Sequence, residues 1–140
     1  MDKTKYGKYV ITEASDLLFN RGEKTEEGES VIIANMDDSL IKGAPLLEGS
    51  WLMPADFDKQ VPIEPHSHDF DEILVQFGSD PKNPHDLGAE IEMWLGGEKQ
   101  IITKSCIIYI PKGLMHGPAR YNRMDRPVMH FAVGLGKRYR

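Results

Sequence analysis

His66-Ser67-His68-Asp69-Phe70-Asp71-Glu72 carries two imidazoles and three carboxylates. It passes without a break into Ile73-Leu74-Val75-Gln76-Phe77-Gly78, a β-branched and aromatic run closed by glycine. A run of that composition ended by a turn residue reads as a strand. On an extended chain alternate side chains share a face, so His66 and His68 point the same way. Glu72 follows His68 by four and keeps that parity, as does Gln76 four residues further on. One face of this stretch therefore presents two imidazoles, a carboxylate and then an amide.

The strand signal recurs on both sides. Val31–Ala34, Ser50–Met53, Ala89–Leu95, Lys99–Ile102, Cys106–Ile110 and Val128–Val133 are short apolar-rich runs, nearly all bounded by Gly, Pro, Asn or Asp. Gly96-Gly97 between two of them is a hairpin signal, because both positions tolerate positive φ. Many short strands with turns at intervals of about ten residues predict an all-β sandwich or barrel. Residues 31–140 are read as that domain and 1–30 as an N-terminal arm. The arm is expected to hold one strand, Lys8–Thr12, suited to a sheet edge, and a short helical turn capped by Ser15 or Asp16 through Leu17–Asn20, ended by Gly22. Gly78–Gly88, with its two prolines, is expected to be a loop at a pocket rim.

A third imidazole follows the run Cys106–Ile110, in Pro111-Lys112-Gly113-Leu114-Met115-His116. Pro111 ends the strand by lacking a ladder donor, and Gly113 permits the reversal that turns His116 inward. Three neutral imidazoles and one carboxylate suit a first-row divalent ion, Fe²⁺, Mn²⁺, Ni²⁺, Co²⁺ or Zn²⁺. With no thiolate among the donors, the expected centre is open and exchangeable, unlike a closed structural zinc site.

These two stretches, His66-Ser67-His68-Asp69-Phe70-Asp71-Glu72 with Gly78 and Pro111-Lys112-Gly113-Leu114-Met115-His116, resemble the two motifs of the cupin superfamily in residue type and order. The resemblance implies a small double-stranded β-helix, or jelly-roll, barrel with His66, His68, Glu72 and His116 as ligands of one divalent metal, Fe²⁺ or Mn²⁺ favoured. It implies a metal-dependent dioxygenase, or an isomerase or lyase, acting on a small polar or carboxylated molecule. A non-catalytic module that binds a small ligand is the alternative. A homodimer is expected, since sheets of this family commonly pack face to face. Three positions depart from the family pattern: Glu72 and Gly78 are separated by five residues where six are usual, Ser105 stands where Gly is frequent, and Arg120 where Asn is frequent.

Around the ligands, Gln76 and His130 are candidates to orient a substrate or exchange a proton, with a core role for His130 at least as consistent. Arg120, Arg123 and Arg126 follow His116 in what reads as one loop; Arg120, nearest the ligand, is the candidate clamp for a carboxylate. Trp51, Met53 and Trp94 are read as pocket or core, Asp69 and Asp71 as turn residues, and His85 as exposed. Cys106 is the single cysteine, so no internal disulfide forms, and its apolar context makes it a buried small hydrophobe.

Composition bounds the remaining possibilities. With 17 Lys and Arg against 22 Asp and Glu, the net charge of −5 argues against nucleic acid as a partner. Lys137–Arg140 reads as a solvated tail. No apolar stretch approaches the length that spans a bilayer, and no secretory signal is read at Met1–Tyr6, so a cytoplasmic protein is expected. A domain of 140 residues needs no metal merely to fold, so a metal site here calls for a functional explanation.

Overall fold

The computed structural model describes residues 4–14, 30–55 and 63–136. Eight strands run in chain order: β1 (Ser30–Met36), β2 (Leu46–Leu52), β3 (Glu72–Gly78), β4 (Asp86–Leu95), β5 (Glu98–Lys104), β6 (Cys106–Ile110), β7 (His116–Met124) and β8 (Val128–Gly134). They form a five-stranded sheet in the order β1-β2-β8-β3-β6 and a three-stranded sheet in the order β5-β4-β7. All named pairings are antiparallel. The all-β, two-sheet architecture expected from the strand pattern is the one observed.

The sheets close on a core of Leu87, Ala89, Ile91 and Met93 from β4, Ile108 and Ile110 from β6, and Val128 from β8. These follow the period of two: on β4 the buried Ile91 and Met93 alternate with the half-buried Glu92 and Trp94. Gly96 and Gly97 turn β4 into β5 at φ 57° and 84°, a conformation that a Cβ would strain. At Gly78 the limit is space: a Cβ there would lie 2.0 Å from the Asp86 carbonyl oxygen, so the start of β4 packs directly on the end of β3.

Three expectations are corrected. The loop after β3 is shorter than Gly78–Gly88, because Asp86, Leu87 and Gly88 already belong to β4. The stretch after His116 is a strand, β7, in place of a loop; it pairs with β4 from Ala89↔Met124 to Leu95↔His116. Its sequence hides this behind Pro118, Asn122 and two arginines, all on the exposed side. Lys8–Thr12 forms no strand. Gly7–Tyr9 is a single 3-10 turn, closed by Tyr9 N–H to Tyr6 O (3.0 Å) and Val10 N–H to Gly7 O (2.9 Å), and its apolar side chains stay exposed. The expected helical turn near Ser15 and the tail Lys137–Arg140 lie outside the described residues. No helix among the described residues is long and apolar enough to cross a membrane.

Candidate metal centre

His66 precedes β3 and His116 opens β7, and the two are joined through their backbones. His66 N–H donates to His116 O (2.9 Å) and His116 N–H to His66 O (2.8 Å). The turn between β6 and β7 is pinned to the same stretch: Gly113 N–H donates to His68 O (2.9 Å), and Lys112 N–H to Asp71 Oδ1 (2.8 Å). Asp71 itself lies in no turn, but its carboxylate accepts from the β6–β7 turn and holds the reversal that aims His116 inward. Gly117, at φ +100°, lets β7 pass close to this segment; a Cβ there would stand 2.9 Å from Glu64 O.

The result is a cluster. The rings of His66 and His68 have centroids 4.7 Å apart, those of His66 and His116 4.3 Å, and those of His68 and His116 5.0 Å. One nitrogen from each lies within 4.8 Å of the other two, so the three imidazoles can hold a metal ion. His66 directs Nδ1 at Glu64 O (2.8 Å) and His116 directs Nδ1 at Leu114 O (3.0 Å). A carbonyl only accepts, so each Nδ1 carries the proton and each Nε2 keeps its lone pair for a cation. His68 is oriented differently, stacked on Phe70 at 4.8 Å with 10° between planes. Phe70 in turn packs against Gly134 and Gly136, which leave it room.

Glu72 is buried beside them, Oε1 3.3 Å from His68 Nε2 and 3.5 Å from His116 Nε2. The donors that lie within 4.8 Å of one another are those of His66, His68 and His116, and Glu72 stands beside two of these three imidazoles. Burial pushes its carboxyl up to about 7 and holds His116 below the usual histidine range. The buried Nε2 of His116 makes no hydrogen bond among the described residues. An ionisable carboxylate and a lone-pair nitrogen buried together lack one thing, a cation, and the donor set fits a first-row divalent ion.

Gln76 faces the interior as its parity requires, and it is fully engaged. Tyr121 O–H donates to Gln76 Oε1 (2.9 Å), and Gln76 Nε2 lies 2.8 Å from His130 Nδ1. Burial pushes His130 down to about 4, so the ring is neutral, and burial with nearby Cys106 raises the Tyr121 hydroxyl well above its usual range. Tyr121 escapes a reading of the sequence because the stretch after His116 reads there as a loop, with Arg120 chosen as the arginine nearest the ligand. Even as a strand, counting by twos from His116 would put Arg120 inside. The register of β7 shifts between Leu95↔His116 and Met93↔Ala119, so Ala119 and Tyr121 turn inward. An irregularity of one residue flips every later side chain. Arg120 is exposed on the outer face opposite Glu92, away from the imidazoles.

The other candidates disperse. Arg126 is taken by Asp86, and Arg123 by Asp125 (3.0 Å) and Glu90 (3.8 Å). Trp94 points outward with its indole N–H on Glu92 Oε2 (3.3 Å), and Trp51 is half-buried on the outer face of the five-stranded sheet. His85 and Asp69 are exposed, Met53 and Cys106 half-buried. Ser105, where the family pattern has glycine, ties the end of β3 to the loop that follows it. Its hydroxyl donates to Pro84 O (2.6 Å) and accepts from Gly78 N–H (2.9 Å). Phe70 is easily overlooked, because an aromatic between two ligands reads equally well as core.

No family model matches the sequence, and no curated protein matches it. Solved structures do. An oxalate oxidase aligns at 15% identity and a TM-score of 0.52, over 84% of this chain and 55% of its own, so the chain spans about half of that enzyme. A cupin protein from Bacteroides fragilis aligns at 14% identity and a TM-score of 0.48, over 81% and 82% of the two chains. KdgF from Halomonas sp. aligns at 12% identity and a TM-score of 0.47, over 88% and 96%.

Proposed function

We propose that this chain, which has the fold of the cupin superfamily, is a metal-dependent enzyme acting on a small polar or carboxylated molecule, with His66, His68, Glu72 and His116 as the ligands. The observation that carries the reading is the convergence of three imidazoles, with the buried Glu72 carboxylate beside two of them. When bound, a divalent ion supplies a Lewis acid that polarises a carbonyl or enediol oxygen.

The protein's own groups do the rest. The Glu64 and Leu114 carbonyls hold the rings of His66 and His116, and Phe70 stacks on His68, so the donors are oriented before an ion binds. Glu72 brings the negative charge that tempers a divalent ion without cancelling it. An enzyme is favoured over a passive binding module because the interior is not merely apolar: Ser50, Gln76, Tyr121 and His130 line it. Oxalate oxidase, whose substrate analogue is glycolate, has the same fold and agrees with a small oxygen-rich substrate. Fe²⁺ or Mn²⁺ with dioxygen uptake is the first chemistry to test, and isomerase or lyase chemistry the second. The same reading keeps the protein in the cytoplasm, where its lone cysteine stays a thiol.

Its partner is a second copy of itself. The outer face of the five-stranded sheet is apolar across four strands, with Phe131, Val75 and Ile107 in one cross-strand row and Trp51, Met129 and Phe77 in another. Ile107 is 65% exposed and Tyr109 54%. Strands apolar on both faces are ordinarily covered on both.

The test is anaerobic purification without chelator, metal quantification, and oxygen consumption against small keto acids, enols and phenols. About one equivalent of metal, lost in His66→Ala and His116→Ala, is expected. Full metal content in both variants would sink the site. Oxygen uptake separates the dioxygenase from the isomerase or lyase.

A further inference from the structure

A second polar constellation lies along the barrel from the metal centre. Ser50, His130, Gln76 and Cys106 are register partners across β2, β8, β3 and β6, and form one straight row. The row shares the inward parity of Glu72, and Tyr121 reaches it from the opposite sheet. Gln76 stands four residues beyond Glu72 on β3, about 13 Å along an extended strand. Between the two rows Leu74 faces inward and keeps accessible surface, although β3 is an interior strand of the sheet. Leu74 packs against the core there, yet part of its inward surface stays open to solvent.

The hydrogen bonds in this row have a direction. A phenol that is not ionised donates its one proton, and Tyr121 spends it on Gln76 Oε1. The amide is thereby held with Nε2 toward His130, where N–H meets Nδ1 at 2.8 Å. Nδ1 accepts, so the proton of the neutral ring sits on Nε2. Nε2 has no hydrogen-bond partner among the described residues, yet it is absent from the groups sealed from solvent. It therefore presents a donor to the solvent-accessible part of the interior.

We infer that His130 offers Nε2–H, locked in one tautomer by Tyr121 and Gln76, as a fixed donor to an oxygen at the end of the substrate remote from the metal centre. The substrate class is then a chain with oxygen functions at both ends and several bonds between them, a dicarboxylate or sugar acid of about five or six carbons, given the 13 Å between rows. This rests on the reading of the centre as a metal site. Gln76 and Tyr121 are positioning residues, since they act through His130. The sequence left His130 open between a group that orients a substrate, an acid–base group and a core histidine. The geometry makes it a donor, because its one free nitrogen carries a proton that the neutral ring does not readily give up.

Zinc-loaded protein is titrated calorimetrically with linear dicarboxylates from malonate to adipate, and the His130 tautomer is read by nitrogen-15 NMR. Expected are tighter binding of the longer members, a pyridine-like Nδ1 and a protonated Nε2. His130→Leu should weaken adipate about tenfold to a hundredfold, the worth of one hydrogen bond to a charged group, with malonate little changed. Tyr121→Phe, which keeps the shape of the ring, should weaken adipate and mix the tautomers. Arg120→Ala, outside the interior, should change neither. Length-independent binding, unchanged adipate affinity in His130→Leu, or a protonated Nδ1 overturns the inference while zinc uptake leaves the metal reading standing. Failure to take up zinc, seen before any dicarboxylate is added, overturns the metal reading and the two-ended substrate with it.

Discussion

Gly134→Ala tests whether packing behind His68 sets metal affinity. A Cβ at Gly134 would lie 2.8 Å from Phe70 Cε1 and 2.9 Å from Leu46 Cδ2. Ordinary contact begins near 3.4 Å, so the phenyl ring must retreat by about 0.6 Å or the strand must bend. Leu46 is fully buried and cannot yield cheaply. Phe70 is the side chain that moves, and it is stacked on His68 with only 10° between planes. Overpacking of this size costs about 1–3 kcal/mol of stability. Disturbing the group that orients a metal-ligating histidine costs about tenfold to a hundredfold in affinity. Urea denaturation of the metal-free variant should show the first loss, and chelator competition with zinc the second. The double variant Phe70→Leu with Gly134→Ala should recover part of the stability, because the smaller side chain frees the space; that coupling is what a double-mutant cycle measures. If Gly134→Ala loses stability but binds zinc as the wild type does, the stack does not position His68 and the reasoning fails.

Three further outcomes follow from the same structure. His130 is held near 4 when folded and returns to about 6.5 when unfolded; the unfolded chain then binds the proton first, so stability is full above about pH 6.5 and is lost as pH falls toward 4, by roughly 3 kcal/mol. Urea midpoints of zinc-loaded wild type and His130→Leu between pH 4.5 and 7 should show a steeper fall in the wild type; ligand protonation contributes to both, and their difference is the His130 contribution. Glu72 carries the opposite sign in the metal-free protein: its folded value of about 7 lies above its unfolded 4.5, so its contribution is present at low pH and is lost as pH rises through 7. Glu72→Gln should therefore stabilise metal-free protein at pH 8, by at most roughly 3 kcal/mol, while greatly weakening zinc binding; an unchanged urea midpoint would contradict the burial argument. If the proposed dimer forms, Ile107→Lys combined with Tyr109→Lys should give a monomer in light scattering with zinc uptake unchanged, and a wild type already monomeric at micromolar concentration would remove the dimer.

The sequence carried the ligands because their placement depends on local parity. His66 and His68 stand two apart, and Glu72 and Gln76 share one face of β3; a bend at Asp69–Phe70 separates the two pairs, so counting by twos orders each pair within itself. Seven strands were readable for a similar reason, each being a compact apolar run. β7 was not, since its exposed face carries Pro118, Arg120, Asn122 and its apolar content is low. Tyr121 was hidden behind a register shift that depends on pairing with β4, a non-local fact. The Lys8–Thr12 stretch has strand composition but meets no edge among the described residues, and composition does not supply a partner. Phe70 shows a further limit: its role is defined by what it touches, His68 on one side and two glycines sixty residues away on the other.

The reciprocal backbone pair between His66 and His116 also has a topological meaning. It joins positions fifty residues apart, and an ion held by the same two side chains would cross-link the chain at that point a second time. Everything from β3 to β6 lies within the closed loop. A cross-link across a loop of that length removes much of the freedom of the unfolded chain, as a disulfide does. The metal would thus act as a reversible staple in a protein whose single cysteine cannot make a permanent one.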